Sequence, residues 1–238
     1  MAGVMGLWSE LTDLLLPAEC AGCRTSRVPL RYGVCASCVQ ALEALRPGPV
    51  RPTPAPPGLP DCVALGAYDG QLREVLLSYK ERGRHGLARP LGHLLAEVVA
   101  GSVGRRRPVL LVPVPATASA VRARHGDHLR RLARHTAVRL RQAGWPVEVA
   151  RPLQALPRPD SASLDSRGRA EAAVSAFRLR PGKRSVLSRS AAERPVIVLD
   201  DIVTTGATLA AVAHLLAGAG LPVHSAAVLA ATRRRNTG

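Results

Sequence analysis

Aromatic residues are nearly missing from this chain. They make up 3% of its 238 residues, with one phenylalanine, two tryptophans and three tyrosines. A core of ordinary size must therefore be packed from alanine, valine and leucine. Lysine is almost absent too. Of 33 basic residues only Lys80 and Lys183 are lysine, and the rest are arginine. Acids are outnumbered, 17 against 33, which leaves a formal net charge of +16. No stretch approaches the roughly 20 apolar residues that a membrane-spanning helix needs. The N-terminal "GVMGLWSELTDLLLP" lacks a basic n-region, and Glu10 and Asp13 interrupt its apolar run, so it does not read as a secretory signal. These absences predict a cytoplasmic protein without membrane insertion. The 7–16 stretch instead predicts a short amphipathic helix, with Leu7, Leu11, Leu14 and Leu15 on one face.

What is present is ordinary in bulk. Hydrophobic residues account for 47% and charged residues for 21%, the balance of a soluble globular chain. The length suits one full core plus a small extra module. The positive charge has two readings. It suits a nucleic-acid or phosphate partner. It better suits an arginine- and alanine-rich bias spread over the surface, since short runs occur only at Arg105–Arg107 and Arg233–Arg235.

Four of the five cysteines share one short segment, as "CAGC" (Cys20, Cys23) and "CASC" (Cys35, Cys38). Two C-x-x-C knuckles this close offer four thiolates to one tetrahedral Zn²⁺. Gly22 suits the tight turn of the first knuckle. A redox dithiol needs one pair rather than two, and disulfides do not persist in a reducing compartment. Spacing alone does not separate zinc from an iron–sulfur centre. The segment is too small and polar to build its own core, so a structural metal would supply its stability. Cys62 is left as an ordinary buried thiol.

Residues 47–60, "PGPVRPTPAPPGLP", hold seven of the 20 prolines and predict extended, semi-rigid chain. The organisation expected is a helix and zinc ribbon over 1–45, a linker over 46–61 and a larger domain over 62–238. With such a linker, loss of the metal is expected to unfold 1–45 alone.

Strand-like and helix-like segments alternate through the larger domain. Strands are expected at 63–68, 108–115, 146–153, 195–200 and 222–230. Helices are expected at 71–83, 87–100, 128–143, near 166–175 and at 206–217. This alternation predicts an α/β fold with a parallel sheet and helices on both faces. Ligands in such sheets bind at the carboxyl ends of strands.

One stretch carries chemistry: "VIVLDDIVTTGATL", residues 196–209. A buried strand runs into two acids, Asp200 and Asp201. The loop Thr204, Thr205, Gly206, Ala207, Thr208 then leads into a helix. Free N–H groups at a helix start favour an anion, and Gly206 would let a ligand approach the backbone. Two neighbouring carboxylates suit vicinal hydroxyls or a Mg²⁺ shell. A phosphate beside a diol describes a ribose 5-phosphate. The simpler alternative is that the acids cap the helix and the threonines form a plain turn.

This stretch resembles the phosphoribosyl pyrophosphate (PRPP) motif of type I phosphoribosyltransferases. Within that superfamily the chain resembles the ComF (competence protein F-like) family. "LLLPAECAGC…CASC" is similar to that family's N-terminal zinc ribbon. "YDGQLREVLLSYKERGRHGLARPLGHLL" is similar to its tyrosine-helix-lysine segment, and "LVPVP" with "RARHGDH" to its Pro-x-Pro strand and Arg-Gly-Phe-Asn stretch. The chain keeps Leu164, Arg169, Ala176 and Phe177 of a later pattern. It departs at His125, at Asp127–His128 in place of Phe–Asn, at Ser161 in place of Gln and at Ala172 in place of Asn. The resemblance implies a pentosyl (glycosyl) transferase with PRPP and Mg²⁺ and a structural Zn²⁺. Asp200 and Asp201 would fix the ribose hydroxyls and favour a cationic sugar, and residues 204–208 would hold the 5-phosphate. Lys80 or arginines would assist the pyrophosphate. An aspartate stands at the Thr204 position in 6-oxopurine members, so that acceptor class is not expected. Three functions remain open: a phosphoribosyltransferase with an unnamed acceptor, a non-catalytic PRPP-binding accessory of DNA uptake, and a zinc-ribbon module binding single-stranded DNA or protein.

Overall fold

The computed structural model describes residues 19–157, 176–181 and 194–232. The helices expected at 7–16 and near 166–175 lie outside the described residues, as do Ser161, Leu164, Arg169 and Ala172. The described chain opens with a small hairpin, β1 (Leu30–Arg31) and β2 (Val34–Cys35), followed by helix α1 (Ala36–Glu43).

A six-stranded sheet forms the centre. Its strands are β3 (Gly48–Val50), β4 (Cys62–Ala67), β5 (Val109–Pro113), β6 (Val147–Val149), β9 (Val196–Val203) and β10 (Val223–Ala231), in the order β3-β4-β10-β9-β5-β6. All pairings are parallel except that of β3, which joins the edge antiparallel to β4. Strands buried on both faces read as unbroken apolar runs. In β10 the five residues Ala226–Ala230 are 0% exposed, and in β5 so are the four residues Val109–Val112. The scarcity of aromatics is met as expected, by leucine, valine and alanine. Each fully buried leucine contributes about 1.5–3 kcal/mol.

The helices are α2 (Gly70–Lys80), α3 (Ala88–Val103), α4 (Ala118–Ala123), α5 (His128–Gln142) and α6 (Ala207–Gly218). Leu72, Val75, Leu76 and Tyr79 form the buried stripe of α2, and Leu129, Leu132, Ala133, Thr136, Ala137 and Leu140 that of α5. Helix α5 packs on α3, β5, β6 and β9, whereas α6 packs on β9 and β10. The chain leaves β5 towards β6 and leaves β9 towards β10, in opposite directions along the sheet. Right-handed crossovers running in opposite directions carry their helices to opposite faces.

Three expectations change. The strand expected at 146–153 is two short ones. Val147–Val149 belongs to the main sheet, and β7 (Leu153–Ala155) leaves it to pair with β8 (Phe177–Leu179) in a separate antiparallel pair. Pro152, which has no N–H to give a ladder, sits between them. The proline-rich segment is not a bare spacer. It contributes β3, and its Pro52 and Leu59 pack against Gly206. The ribbon is also not detached. The Ser78 hydroxyl of α2 donates to the Ala21 carbonyl at 3.2 Å, and Arg84 donates to the Glu19 carbonyl at 2.6 Å. Buried Cys20, Ala21, Cys35, Cys38 and Leu42 are continuous with the core under the sheet. Loss of a metal held by these cysteines is therefore expected to be felt beyond residue 45.

Candidate functional site

Strands β5 and β9 are neighbours whose connections depart to opposite sides. A crevice opens at the carboxyl ends of such a pair. Here it is a pocket of about 440 Å³. Val114–Thr117, just after β5, form one side, and Asp200, Asp201 and Thr208 another. Lys80 from the end of α2 and His128 from the start of α5 reach in, while Leu129, Ala155, Ala176 and Phe177 supply an apolar wall.

Strand β9 does not end at the acids. It continues to Val203, because Ile202 and Val203 still pair with Ala230 and Ala231 of β10. Neither acid caps α6, whose N-cap is Gly206 with no side-chain cap bond. The capping alternative therefore fails. Of the loop residues, Thr208 lines the pocket. Thr204 and Thr205 are exposed beside it, and the Thr205 hydroxyl accepts from the Ala207 N–H at 3.4 Å. Gly206 has φ +78°, in the left-handed region glycine favours. A Cβ there would meet Leu59 Cδ1 at 2.9 Å. The bare side of this glycine thus faces the proline-rich segment, a reason different from the ligand approach expected.

The two acids are not equivalent. Asp201 is 5% exposed. Its Oδ2 takes both the Lys80 ammonium and His128 Nε2, each at 2.9 Å. Burial alone would raise its pKa, but the His128 hydrogen bond and the Lys80 charge outweigh burial and hold the carboxyl below its usual range. Asp200 has no such partners among the described residues. Its Oδ1 accepts the Asp201 N–H at 2.9 Å. Burial, then the charge of Asp201, push Asp200 up to about 8. One site thus holds a fixed carboxylate beside an acid that stays protonated near neutrality.

Local sequence explains how the partners arrive. Asp127 caps α5 by accepting from the Arg130 N–H at 2.9 Å, which makes His128 the first helical residue. The Tyr79 hydroxyl donates to the His128 carbonyl at 2.6 Å and ties α2 to α5. Lys80 follows directly at the end of α2. Sequence reasoning placed Lys80 beside the leaving group and left His128 without a role. The one signal for His128 was its appearance, with Asp127, where the resembled family carries Phe–Asn.

The four cysteines converge as expected. Their sulfurs all lie within 4.8 Å of one another, and those of Cys23 and Cys35 are 3.7 Å apart. A tetrahedral Zn²⁺ with bonds of about 2.3 Å sets its sulfurs about 3.8 Å apart. An iron–sulfur cluster interposes sulfides and needs its thiolates farther apart, so the geometry fits a single ion. Cys20 Sγ accepts N–H groups from Gly22 at 3.4 Å and Cys35 at 3.2 Å. The Ser37 hydroxyl and the Cys38 N–H lower Cys35 to about 6. Gly22 is required on steric grounds, since a Cβ would lie 2.9 Å from Cys38 Sγ. None of the five cysteines is in a disulfide. Cys62 is buried, donates to the Pro60 carbonyl at 3.3 Å and is pushed up to about 11 by burial, an inert thiol.

Among the described residues, no helix is long and apolar enough to cross a membrane. No protein-family model matches the chain, and no curated protein matches it significantly.

Proposed function

We propose that the protein binds PRPP with Mg²⁺ and transfers its phosphoribosyl group to an acceptor. The observation that supports this is the unequal acid pair within β9, inside the switch-point pocket that Thr208 of the α6 start also lines. The 5-phosphate would sit on the N–H groups at the start of α6, with the Thr208 hydroxyl. Asp200 would take the ribose hydroxyls, since no cation is held against its oxygens among the described residues. Asp201 would hold Lys80 in place beside the sugar and would orient His128. Mg²⁺ would neutralise the pyrophosphate as it leaves, and Lys80 would add to that charge. Zn²⁺ fits the four-cysteine centre as a structural ion, and unpaired thiols suit a reducing, cytoplasmic setting.

Calorimetry with PRPP and Mg²⁺ tests the binding. Heat that saturates is expected, and it should be followed by pyrophosphate release in a screen over bases and nucleic acid. No heat up to millimolar PRPP sinks the reading.

A second reading, binding to single-stranded DNA as an accessory of DNA uptake, is favoured by the outer face of α5. Arg130, Arg134, Arg139 and Arg141 are exposed there, and the helix carries no acid. Helix α5 carries no Phe, Trp or Tyr, which removes stacking on such rings as a source of affinity on this face. Binding would then be almost wholly electrostatic. Replacing Arg130, Arg134 and Arg139 by Gln should weaken it uniformly across sequences. It should also flatten the log K against log salt slope by about 0.7 for each phosphate no longer neutralised. An unchanged slope rejects this face as the site.

A further inference from the structure

The two ring nitrogens of His128 meet different surroundings. Nε2 lies 2.9 Å from Asp201 Oδ2. The Lys80 ammonium on the same oxygen keeps Asp201 a carboxylate, so Nε2 donates and carries the ring proton. In the neutral ring Nδ1 then bears the lone pair. Nδ1 makes no hydrogen bond among the described residues. His128 lines the pocket beside Asp200, Asp201 and Lys80. The Tyr79 ring stands edge-on to the imidazole with centroids 6.2 Å apart, which limits its rotation.

Other side chains in the pocket are unsuited to accept a proton. Asp200 keeps its own proton up to about 8. Asp201 is committed to Lys80 and His128. Arg124 is paired with Glu81 at 3.2 Å. Leu129, which follows His128, continues into the apolar wall with Ala155 and Phe177.

We infer that His128 is the general base of the transfer, and that its Nδ1 takes the proton of a neutral N–H or O–H acceptor whose apolar body rests on Leu129, Ala155 and Phe177. This rests on the phosphoribosyltransferase reading above. The acceptor gives its proton to Nδ1 as its nucleophilic atom bonds to ribose C1. The C1–oxygen bond to pyrophosphate breaks, and that electron pair leaves with the pyrophosphate. Asp201 stabilises the imidazolium that forms, and the proton passes from Nδ1 to solvent. Nothing is oxidised or reduced.

The test measures pyrophosphate release from PRPP and Mg²⁺ by the full chain. Water serves as the basal acceptor, and a panel of neutral aromatic amines and N-heterocycles follows. His128→Ala should slow release by about 10²- to 10⁴-fold, the usual worth of a positioned base. Its PRPP affinity by calorimetry should be unchanged, and added imidazole should restore part of the rate. His128→Asn, which can still donate to Asp201, should be as slow at a native melting temperature. Wild-type rates in the Asn variant overturn the assignment. So does loss of rate without rescue or with loss of PRPP affinity, which makes His128 structural. Wild-type protein that binds PRPP yet releases no pyrophosphate overturns the base and leaves the binding reading standing. Wild-type protein that fails to bind PRPP overturns that reading and the base with it.

Discussion

Stripping the metal from the four-cysteine centre is expected to melt the sheet as well as the ribbon, in a single transition. The proline-rich segment suggests otherwise, because a stiff linker would let the ribbon unfold alone. The packing decides the matter. Ala21 is tied to Ser78 in the middle of α2, and Cys38 sits against Gly22, whose Cα faces Val75 on the buried stripe of the same helix. The residue two beyond Ser78 is Lys80, which holds Asp201. The exposed Arg24–Glu74 pair adds little to this coupling, since such pairs are worth about 0–1 kcal/mol. The buried contacts carry it. A structural zinc supplies about 10–16 kcal/mol in isolated zinc-finger peptides. Whole domains are stable by only about 5–15 kcal/mol, so even partial coupling is large. Cys38→Ser should lower the melting temperature by about 6–12 °C, taking a loss of about 3 kcal/mol at about 2–4 °C each. Calorimetry with and without a chelator reads this directly, with zinc counted by elemental analysis. Cys62→Ser is the control, and should keep one zinc per chain. Two separate transitions, with the larger one unmoved by chelation, would show that the ribbon is independent after all.

Most elements were legible because their signals are local. The apolar runs of β4, β5, β9 and β10 and the stripes of α2 and α5 lie in consecutive residues. The cysteine centre was legible because the knuckles carry their own spacing. What escaped depended on distant chain. Strand β3 hides in a proline-rich stretch, and only the free edge of β4 makes Gly48–Val50 a strand. Strand β9 outruns its apolar segment because β10 continues to offer partners beside Ile202 and Val203. The contact between His128 and Asp201 spans 73 residues. No periodicity announces such a contact, and a helix cap placed by Asp127 is what delivers the imidazole. The difference between the two acids was equally hidden. In sequence they are neighbours of one type, and the partners that set them apart come from α2 and α5.

That difference predicts opposite outcomes for two substitutions of the same chemistry. Asp201→Asn should cost about 3–5 kcal/mol, the usual penalty for removing one member of a buried ion pair, because Lys80 is left without its counter-charge. Asp200→Asn should stabilise. Its amide oxygen can still accept the Asp201 N–H, and it has no proton to lose. The pH dependence follows from the direction of each shift. In the unfolded chain Asp200 ionises near 3.8, whereas in the fold it holds its proton to about 8. Between those values the folded state binds the extra proton, so wild-type stability falls as pH rises, by at most about 1.4 kcal/mol per unit. Above about 8 the loss is complete. Asp200 keeps part of its surface open to the pocket, so the real slope is shallower. The advantage of Asp200→Asn over wild type should therefore grow between about pH 5 and pH 8.5 and then level off. Asp201 runs the other way: its contribution is present above its unfolded pKa and is lost only as pH falls below it. Melting temperatures of the three proteins at the two pH values measure all of this. If PRPP is the ligand, the stabilised Asp200→Asn protein should also bind it about two- to tenfold more weakly near neutrality, since a hydrogen bond of an uncharged group is worth about 0.5–1.5 kcal/mol. A gain in stability joined to a loss of affinity is the mark of a residue kept for binding at a cost to the fold. Equal destabilisation by the two substitutions, or an Asp200→Asn protein less stable than wild type at both pH values, would remove the distinction between the acids and the roles assigned to them.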